Sequence, residues 1–146
     1  MTVLRMDNVG IVFEDLDVAV AFFTELGLEL EGRSMLEGRW AERVVSLDDM
    51  QVEIAMMRTP DGHSRLEMMQ FHRPTAVSVE PKAAPSNALG LRRLMFAVDD
   101  IDDTITRLQP HGAELVGEVA QYEDMYRLCY LRGPEGIIVA LAEQLK

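Results

Sequence analysis

Apolar and polar positions along the chain form two kinds of pattern, and each kind occurs twice. Short apolar runs at residues 8–13 and 93–98 predict β-strands. An acidic segment follows each run, and after it apolar residues recur at helical spacing, at Val18, Phe22 and Leu26 and again at Ile101, Ile105 and Leu108. Because the same patterns return in the same order, the chain is predicted to contain an internal repeat.

The first halves of the two copies align without a gap. Val9 aligns with Leu94, 85 positions later, and the alignment continues to Leu30 and Leu115. Aspartates are suited to cap the start of each helix, either Asp15 or Asp17 in the first copy and either Asp100 or Asp102 in the second. Glycines suited to end the helices follow in both copies, at Gly27 and Gly112.

The second halves of the copies match around a turn that precedes the last strand. Pro60-Asp61-Gly62 resembles Pro134-Glu135-Gly136, and with one extra residue in the first copy Arg65-Leu66-Glu67-Met68 aligns with Ile138-Val139-Ala140-Leu141. Each copy has room for two more strands, around 29–36 and 43–57, then 114–120 and 125–131. We therefore predict an α+β fold of two βαβββ modules, at about 6–73 and 91–143, joined by a Pro-, Ala- and Ser-rich linker at about 74–90.

Composition narrows the classes of partner. The 146 residues carry a formal net charge of −11, so no basic surface is expected to neutralise the phosphates of a nucleic acid. The apolar runs are short and interrupted by charges, which argues against a membrane span. The single cysteine, Cys129, excludes an internal disulfide and suits a reducing compartment, so we expect a cytoplasmic protein with a buried thiol.

The repeated strand and acidic helix start, together with the Pro-Asp-Gly and Pro-Glu-Gly turns, resemble the vicinal oxygen chelate superfamily. This superfamily contains glyoxalases, bleomycin resistance proteins and dioxygenases. The resemblance covers the chain from Met6 to about Glu143. It implies a single domain whose mixed sheets curl into a cup, a small organic molecule bound in that cup, and a homodimer. Whether the chain is an enzyme stays open, and an enzyme of this kind would be a lyase, an isomerase or a dioxygenase.

In the metal-dependent members of the family, four strand residues hold one divalent cation. The resemblance places these positions at Asn8, Glu67, Arg93 and Ala140. Only Glu67 keeps a typical ligand, because alanine has no donor atom and a guanidinium stays protonated and accepts no metal. We therefore expect neither a metal nor another cofactor.

The same positions suggest other roles. If the strands pair as in the family, Arg93 lies near Glu67 and Asn8, where it either forms a structural ion pair with Glu67 or grips an anionic group of a ligand. Tyr122, Tyr126 and Tyr130 lie on segments that can border the cup or the dimer interface. Tyr122-Glu123-Asp124 is either a covering loop or an exposed turn. Asn8, Glu67, Arg93, Tyr122 and Tyr126 are thus the candidate ligand-binding residues.

Three functions stay open at this point. The first is a metal-independent protein that binds a small molecule, although the acidic chain favours a cationic ligand and Arg93 favours an anionic one. The second is a metal-dependent lyase, epimerase or dioxygenase with a displaced site that uses Glu67 with His72 or another donor. The third is a structural or regulatory dimer without a ligand.

Overall fold

The computed structural model describes residues 2–145, which divide into two compact units, one up to Val77 and one from Ser78. The first unit contains, in chain order, β1 (Val9–Val12), α1 (Leu16–Leu26), β2 (Glu29–Glu37), α2 (Arg39–Val45), β3 (Gln51–Arg58) and β4 (Arg65–Arg73). Its four-stranded sheet has the order β1-β4-β3-β2. β1 runs parallel to β4, and the other pairs are antiparallel.

The second unit repeats this plan. It contains β5 (Arg93–Val98), α3 (Ile101–Leu108), β6 (Glu114–Leu115), β7 (Ala120–Tyr122), β8 (Tyr126–Arg132) and β9 (Ile138–Gln144). The sheet has the order β5-β9-β8-β6, with β7 also paired to β8, and β5 is parallel to β9. The predicted α+β fold with two modules and mixed sheets is confirmed. No helix within residues 2–145 is long and apolar enough to cross a membrane.

The strand registers show that the repeat is structural as well as sequential. Val9 pairs with Leu66 in the first unit, and their counterparts Leu94 and Val139 pair in the second. The alignment drawn from the sequence therefore places equivalent residues at equivalent positions of the two sheets. Glu67 and Ala140 occupy the same position in their own sheets, beside Gly10 and Met95 respectively.

The helices begin where the acidic segments predict. The carboxylates of Asp15 and Asp100 accept the backbone N–H groups of Val18 and Asp103, which satisfies donors that the first helical turn leaves free. Gly27 ends α1 at a φ of 122°, a conformation that favours glycine. The buried face of α1 consists of Leu16, Ala19, Phe22, Phe23 and Leu26. Val18, which we predicted on that face, is 52% exposed because it lies off this stripe.

Two predicted strands differ from the structure. The strand expected at 43–57 begins only at Gln51, because residues 39–45 form α2. Gly38 turns the chain at a φ of 113°, and α2 then buries Ala41. The strand expected at 114–120 is interrupted after Leu115 and resumes at Ala120, with Gly117 in the gap.

Part of the predicted linker is anchored to the second unit. Arg132 donates hydrogen bonds to the backbone oxygens of Ala83 and Ala84, and Lys82 forms an ion pair with Glu135 at 3.3 Å. Gly136 lies against the backbone of Lys82. The linker is therefore bound to the β8–β9 turn at residues 82–84 instead of running free.

Candidate functional site

Each sheet has one face covered by its helix and one face turned away from it, which we call the open face. In the first unit, α1 lies on the side of Leu66 and Met68, both buried, and the N–H of Leu16 donates to the side chain of Gln70 at 2.9 Å. Residues alternate between the two faces along a strand, so Glu67 and Met69 belong to the open face. The candidate site residues can therefore be assigned to faces from the strand registers.

Glu67 lies in a row of residues that crosses the open face of the first sheet. Its neighbours on the adjoining strands are Gly10 and Met56, and Gly32 follows on β2. Glu67 is half-buried, and no side chain within residues 2–77 forms a hydrogen bond or ion pair with its carboxylate. Asn8, also half-buried, lies two residues before Gly10. The Glu67 carboxylate thus stands among glycines and a methionine, and the side chain of Met69 lies close to Gly10.

The other end of this open face is covered by α2. Ala41 of α2 forms a small core with Met50 and Val52. Four half-buried apolar side chains of the open face pack against it: Leu36, Ile54, Met69 and Phe71. The helix that the sequence analysis missed therefore closes one end of the surface on which Glu67 lies.

The open face of the second sheet carries Arg93 and Ala140. Ala140 is fully buried and pairs with both Met95 and Tyr130 on the neighbouring strands. The guanidinium of Arg93 lies over the ring of Tyr130, 5.2 Å from its centroid, at a distance suited to a cation–π interaction. Arg93 thus has an aromatic partner that sequence reasoning did not identify.

The open face of the second sheet also forms a pocket of about 1040 Å³, which we call the second-sheet pocket. Its floor is apolar and comes from Met95, Ala97, Leu128 and Ala142 of three adjacent strands. Its rim comes from Asp99, the residue after β5, from Glu123, Asp124 and Met125 of the β7–β8 turn, and from Tyr126 at the start of β8. An apolar floor with a few polar groups at the edge is typical of small-molecule sites.

Tyr122 and Tyr126 are brought together at this pocket. Their rings stack with centroids 5.5 Å apart and an interplanar angle of 26°. They pair across the β7–β8 hairpin, and the N–H of Met125 donates to the backbone oxygen of Tyr122. The segment at Tyr122-Glu123-Asp124 is therefore a tight turn, the second of the two alternatives drawn from the sequence.

The candidate residues thus fall into three groups: Asn8 with Glu67, Tyr122 with Tyr126, and Arg93 with Tyr130. The sequence placed Tyr130 on a segment that can border the cup, but it did not indicate the contact with Arg93, and it did not group Asp99 with Glu123 and Asp124. The alternation of Tyr126, Leu128 and Tyr130 was a signal that could have placed both tyrosines on one face, because alternate residues of a strand point the same way.

The remaining chemical candidates lie elsewhere. His72 lies at a register irregularity of β4, and its Nε2 is 3.6 Å from a carboxylate oxygen of Glu53, which pairs with Gln70 on the helix-covered side. It therefore does not share the face of Glu67. Cys129 is buried, as predicted, and burial raises the pKa of its thiol, so the thiolate is disfavoured.

Comparison with known proteins identifies the family. Two βαβββ modules with matching registers define the class of paired-module folds to which glyoxalases belong. The family model of the Glyoxalase/Bleomycin resistance protein/Dioxygenase superfamily matches residues 7–130. The chain belongs to this superfamily, as the resemblance of its motifs predicted.

Individual relatives agree with this assignment. A crystal structure of a glyoxalase family protein from Bacillus cereus is 58% identical, covers 100% of this chain and 97% of its own, and has a TM-score of 0.94. The protein YaeR of Escherichia coli is 26% identical over 141 residues, which is 96% of each chain. TnmS3, an antibiotic binding protein from Streptomyces, shares the fold at 17% identity, with a TM-score of 0.59 and coverage of 99% and 98%.

Proposed function

We propose that this protein binds a small organic molecule in the second-sheet pocket and does so without a divalent metal at the four family positions. The observation that carries the proposal is the pocket itself. Its volume of about 1040 Å³ is just above the range of roughly 300–1,000 Å³ that is common for small-molecule sites. The apolar floor would supply binding energy, and the stacked tyrosine pair offers a flat surface for a ring.

The residues at the family's metal positions do not fit a divalent cation. Ala140 is buried and supplies no donor, and Arg93 places a permanent positive charge that is attracted to the Tyr130 ring. Asn8 and Glu67 supply one amide oxygen and one carboxylate, fewer donors than zinc or a transition metal usually takes. The alternative of a displaced metal site lacks support as well, since His72 lies with Glu53 and away from Glu67.

Five ligand-binding residues were predicted, and they differ in how far the pocket supports them. Tyr126 lines the pocket, and Tyr122 stacks on Tyr126. Roles for Asn8, Glu67 and Arg93 in ligand binding stay predictions from the family resemblance. The fold is compatible with sequestration of a drug-like molecule, because TnmS3, which shares it, is an antibiotic binding protein.

The proposal is tested by thermal-shift screening with carboxylates, coenzyme A esters and cationic drugs. A ligand that binds only the native state raises the melting temperature, by an amount equivalent to about 2.7 kcal/mol at 100 times its Kd. We expect at least one class to raise it. The Ala97→Trp variant places a large ring on the pocket floor and should abolish the shift.

The matched control is Ala76→Trp, which adds the same ring at an exposed position outside the pocket lining. The control should retain the full shift. If no compound raises the melting temperature, or if Ala97→Trp responds like the control, the pocket is not a ligand site and the third alternative, a dimer without a ligand, is favoured.

A further inference from the structure

We propose that the ligand of the second-sheet pocket carries a positive charge on an apolar body, such as an amine or quaternary ammonium group attached to a ring system. This inference rests on the proposed function and names the chemical class that the pocket would accept. It also resolves a conflict in the sequence, where the acidic composition favoured a cationic ligand and Arg93 favoured an anionic one.

The pocket combines an apolar cavity with a rim of one charge sign. Met95, Leu128 and the alanines of the floor offer no partner for a charged group. Asp99, Glu123 and Asp124 place three carboxylates on the rim, and no Lys or Arg among residues 2–145 lines the pocket. An apolar body would enter the floor while its cationic group stays at the acidic edge, where water still reaches it.

The three rim carboxylates have no basic partner in the described part of their own unit. No ion pair joins Asp99, Glu123 or Asp124 to a basic side chain within residues 78–145. They are exposed, so their charges are available to a ligand. An anionic ligand would meet uncompensated repulsion at this rim.

The arginines of the same sheet are engaged away from the pocket. Arg93 lies over Tyr130, which does not line the pocket. Arg127 forms an ion pair with Asp102 at 2.7 Å, and Arg132 donates to backbone oxygens of Gly136 and the linker. The cation that suggested an anionic ligand therefore lies outside the cavity lining.

Tyr126 adds a second attraction for a cation. Tyr126 lines the pocket together with the carboxylates, and its ring stacks on that of Tyr122. The face of an aromatic ring attracts ammonium groups, and aromatic residues beside carboxylates are suited to quaternary ammonium ligands. The cavity, the ring and the charge thus favour the same class of ligand.

The test compares three fluorescent dyes with apolar ring systems: cationic thioflavin T, neutral Nile red and anionic 8-anilinonaphthalene-1-sulfonate. Titration of the full chain at low salt should show the tightest binding for thioflavin T. The Glu123→Gln/Asp124→Asn variant removes two charges with little change in shape and should weaken thioflavin T binding roughly fivefold, because exposed charge pairs contribute about 0.2–1 kcal/mol each.

The matched control is Glu118→Gln/Asp48→Asn, which changes the net charge equally at exposed positions outside the pocket lining. It should leave thioflavin T binding unchanged. A preference for the anionic or neutral dye at a site that Ala97→Trp blocks would overturn the cationic class and leave the proposed function intact. An equal loss of thioflavin T affinity in Glu123→Gln/Asp124→Asn and in its control would have the same meaning.

If Ala97→Trp blocks none of the dyes, the pocket is not the binding site and both proposals fail together. A change in oligomeric state of Glu123→Gln/Asp124→Asn, measured by sedimentation, would show that another chain covers the rim, which also overturns the inference. Binding of thioflavin T that falls in Ala97→Trp and in the charge variant, but in neither control, supports it.

Discussion

Position 136 has room only for glycine, because the backbone of the linker at Lys82 lies against it. Gly136 has a φ of 76°, and a Cβ placed on it would overlap with the carbonyl oxygen of Lys82. Gly136→Ala should therefore lower the free energy of unfolding by roughly 2–4 kcal/mol, since it adds a clash to the cost of a left-handed alanine. Denaturant unfolding measures the change.

The matched control for this substitution is Gly62→Ala. Gly62 has the same φ of 76°, but a Cβ added to it would have no neighbouring atom within 4 Å, so only the conformational cost of about 1 kcal/mol applies. Equal losses in the two variants would mean that the linker is not held against the turn in solution.

For single residues, the sequence shows the chemical properties of a side chain but not which other residues it contacts. Arg93 and Ala140 could be judged unfit for a metal from residue type alone. The partner of Arg93 could not be inferred, because Tyr130 lies on β8, two strands away from β5 in the sheet order. The acidic rim was missed for a similar reason, since Asp99 and Glu123 are separated by 24 positions.

Among the elements, both helices that open a module are attached to the last strand of the same module in the same way. The N–H of Leu16 donates to the side-chain oxygen of Gln70, and the N–H of Ile101 donates to a carboxylate oxygen of Glu143 at 2.7 Å. The two acceptors occupy equivalent positions of β4 and β9. Each satisfies a donor of the first helical turn that has no partner within the helix.

This equivalence predicts which substitutions at Glu143 are tolerated. Glu143→Gln recreates the acceptor found in the first module and should cost less than about 1 kcal/mol, whereas Glu143→Ala leaves the Ile101 N–H unpaired and should cost about 2 kcal/mol. Thermal and denaturant unfolding of the two variants provide the comparison. Glu143 is also paired with Arg127 across β8 and β9, and the two charges attract each other. Equal destabilisation would mean that this attraction, not the helix contact, is the main contribution.

The elements that carry a strong local signal were predicted well. Aspartate caps locate the starts of α1 and α3, Gly27 locates the end of α1, and strand patterns locate the first and last strand of each module, because these signals depend only on neighbouring residues. α3 ends at Leu108, and a short 3-10 helix separates it from Gly112. α2 was missed because its seven residues make less than two full turns of apolar spacing, and Val44 and Val45 favour a strand. What stabilises it is the core with Met50 and Val52, to which Met69 and Phe71 of the distant strand β4 contribute.

At the scale of the whole molecule, the exposed apolar side chains bear on the oligomeric state. Members of the family led us to expect a homodimer, and apolar side chains near the N-terminus and before β5 are strongly exposed: Val3 at 71%, Leu4 at 89%, Leu89 at 97% and Leu91 at 73%. Exposed apolar groups of this kind favour contact with another surface. We propose that the protein is a homodimer in solution.

Native mass spectrometry tests the assembly and the metal prediction together. Protein purified without chelator should appear at twice the chain mass of 16.4 kDa, with no additional mass of a transition metal. Addition of a chelator should change neither the mass nor the melting temperature. A monomer would contradict the assembly proposal, and a stoichiometric zinc, nickel or iron ion would contradict the metal prediction.

The hydrogen bonds from Arg132 to Ala83 and Ala84 also bear on how the modules could be produced separately. A gene fragment that starts at the first residue of β5 would leave Arg132 without these acceptors and expose the turn at Gly136. A fragment that starts near Ser78 keeps the hydrogen bonds of Arg132 and the cover over the turn. The natural place to divide the coding sequence therefore lies well before β5.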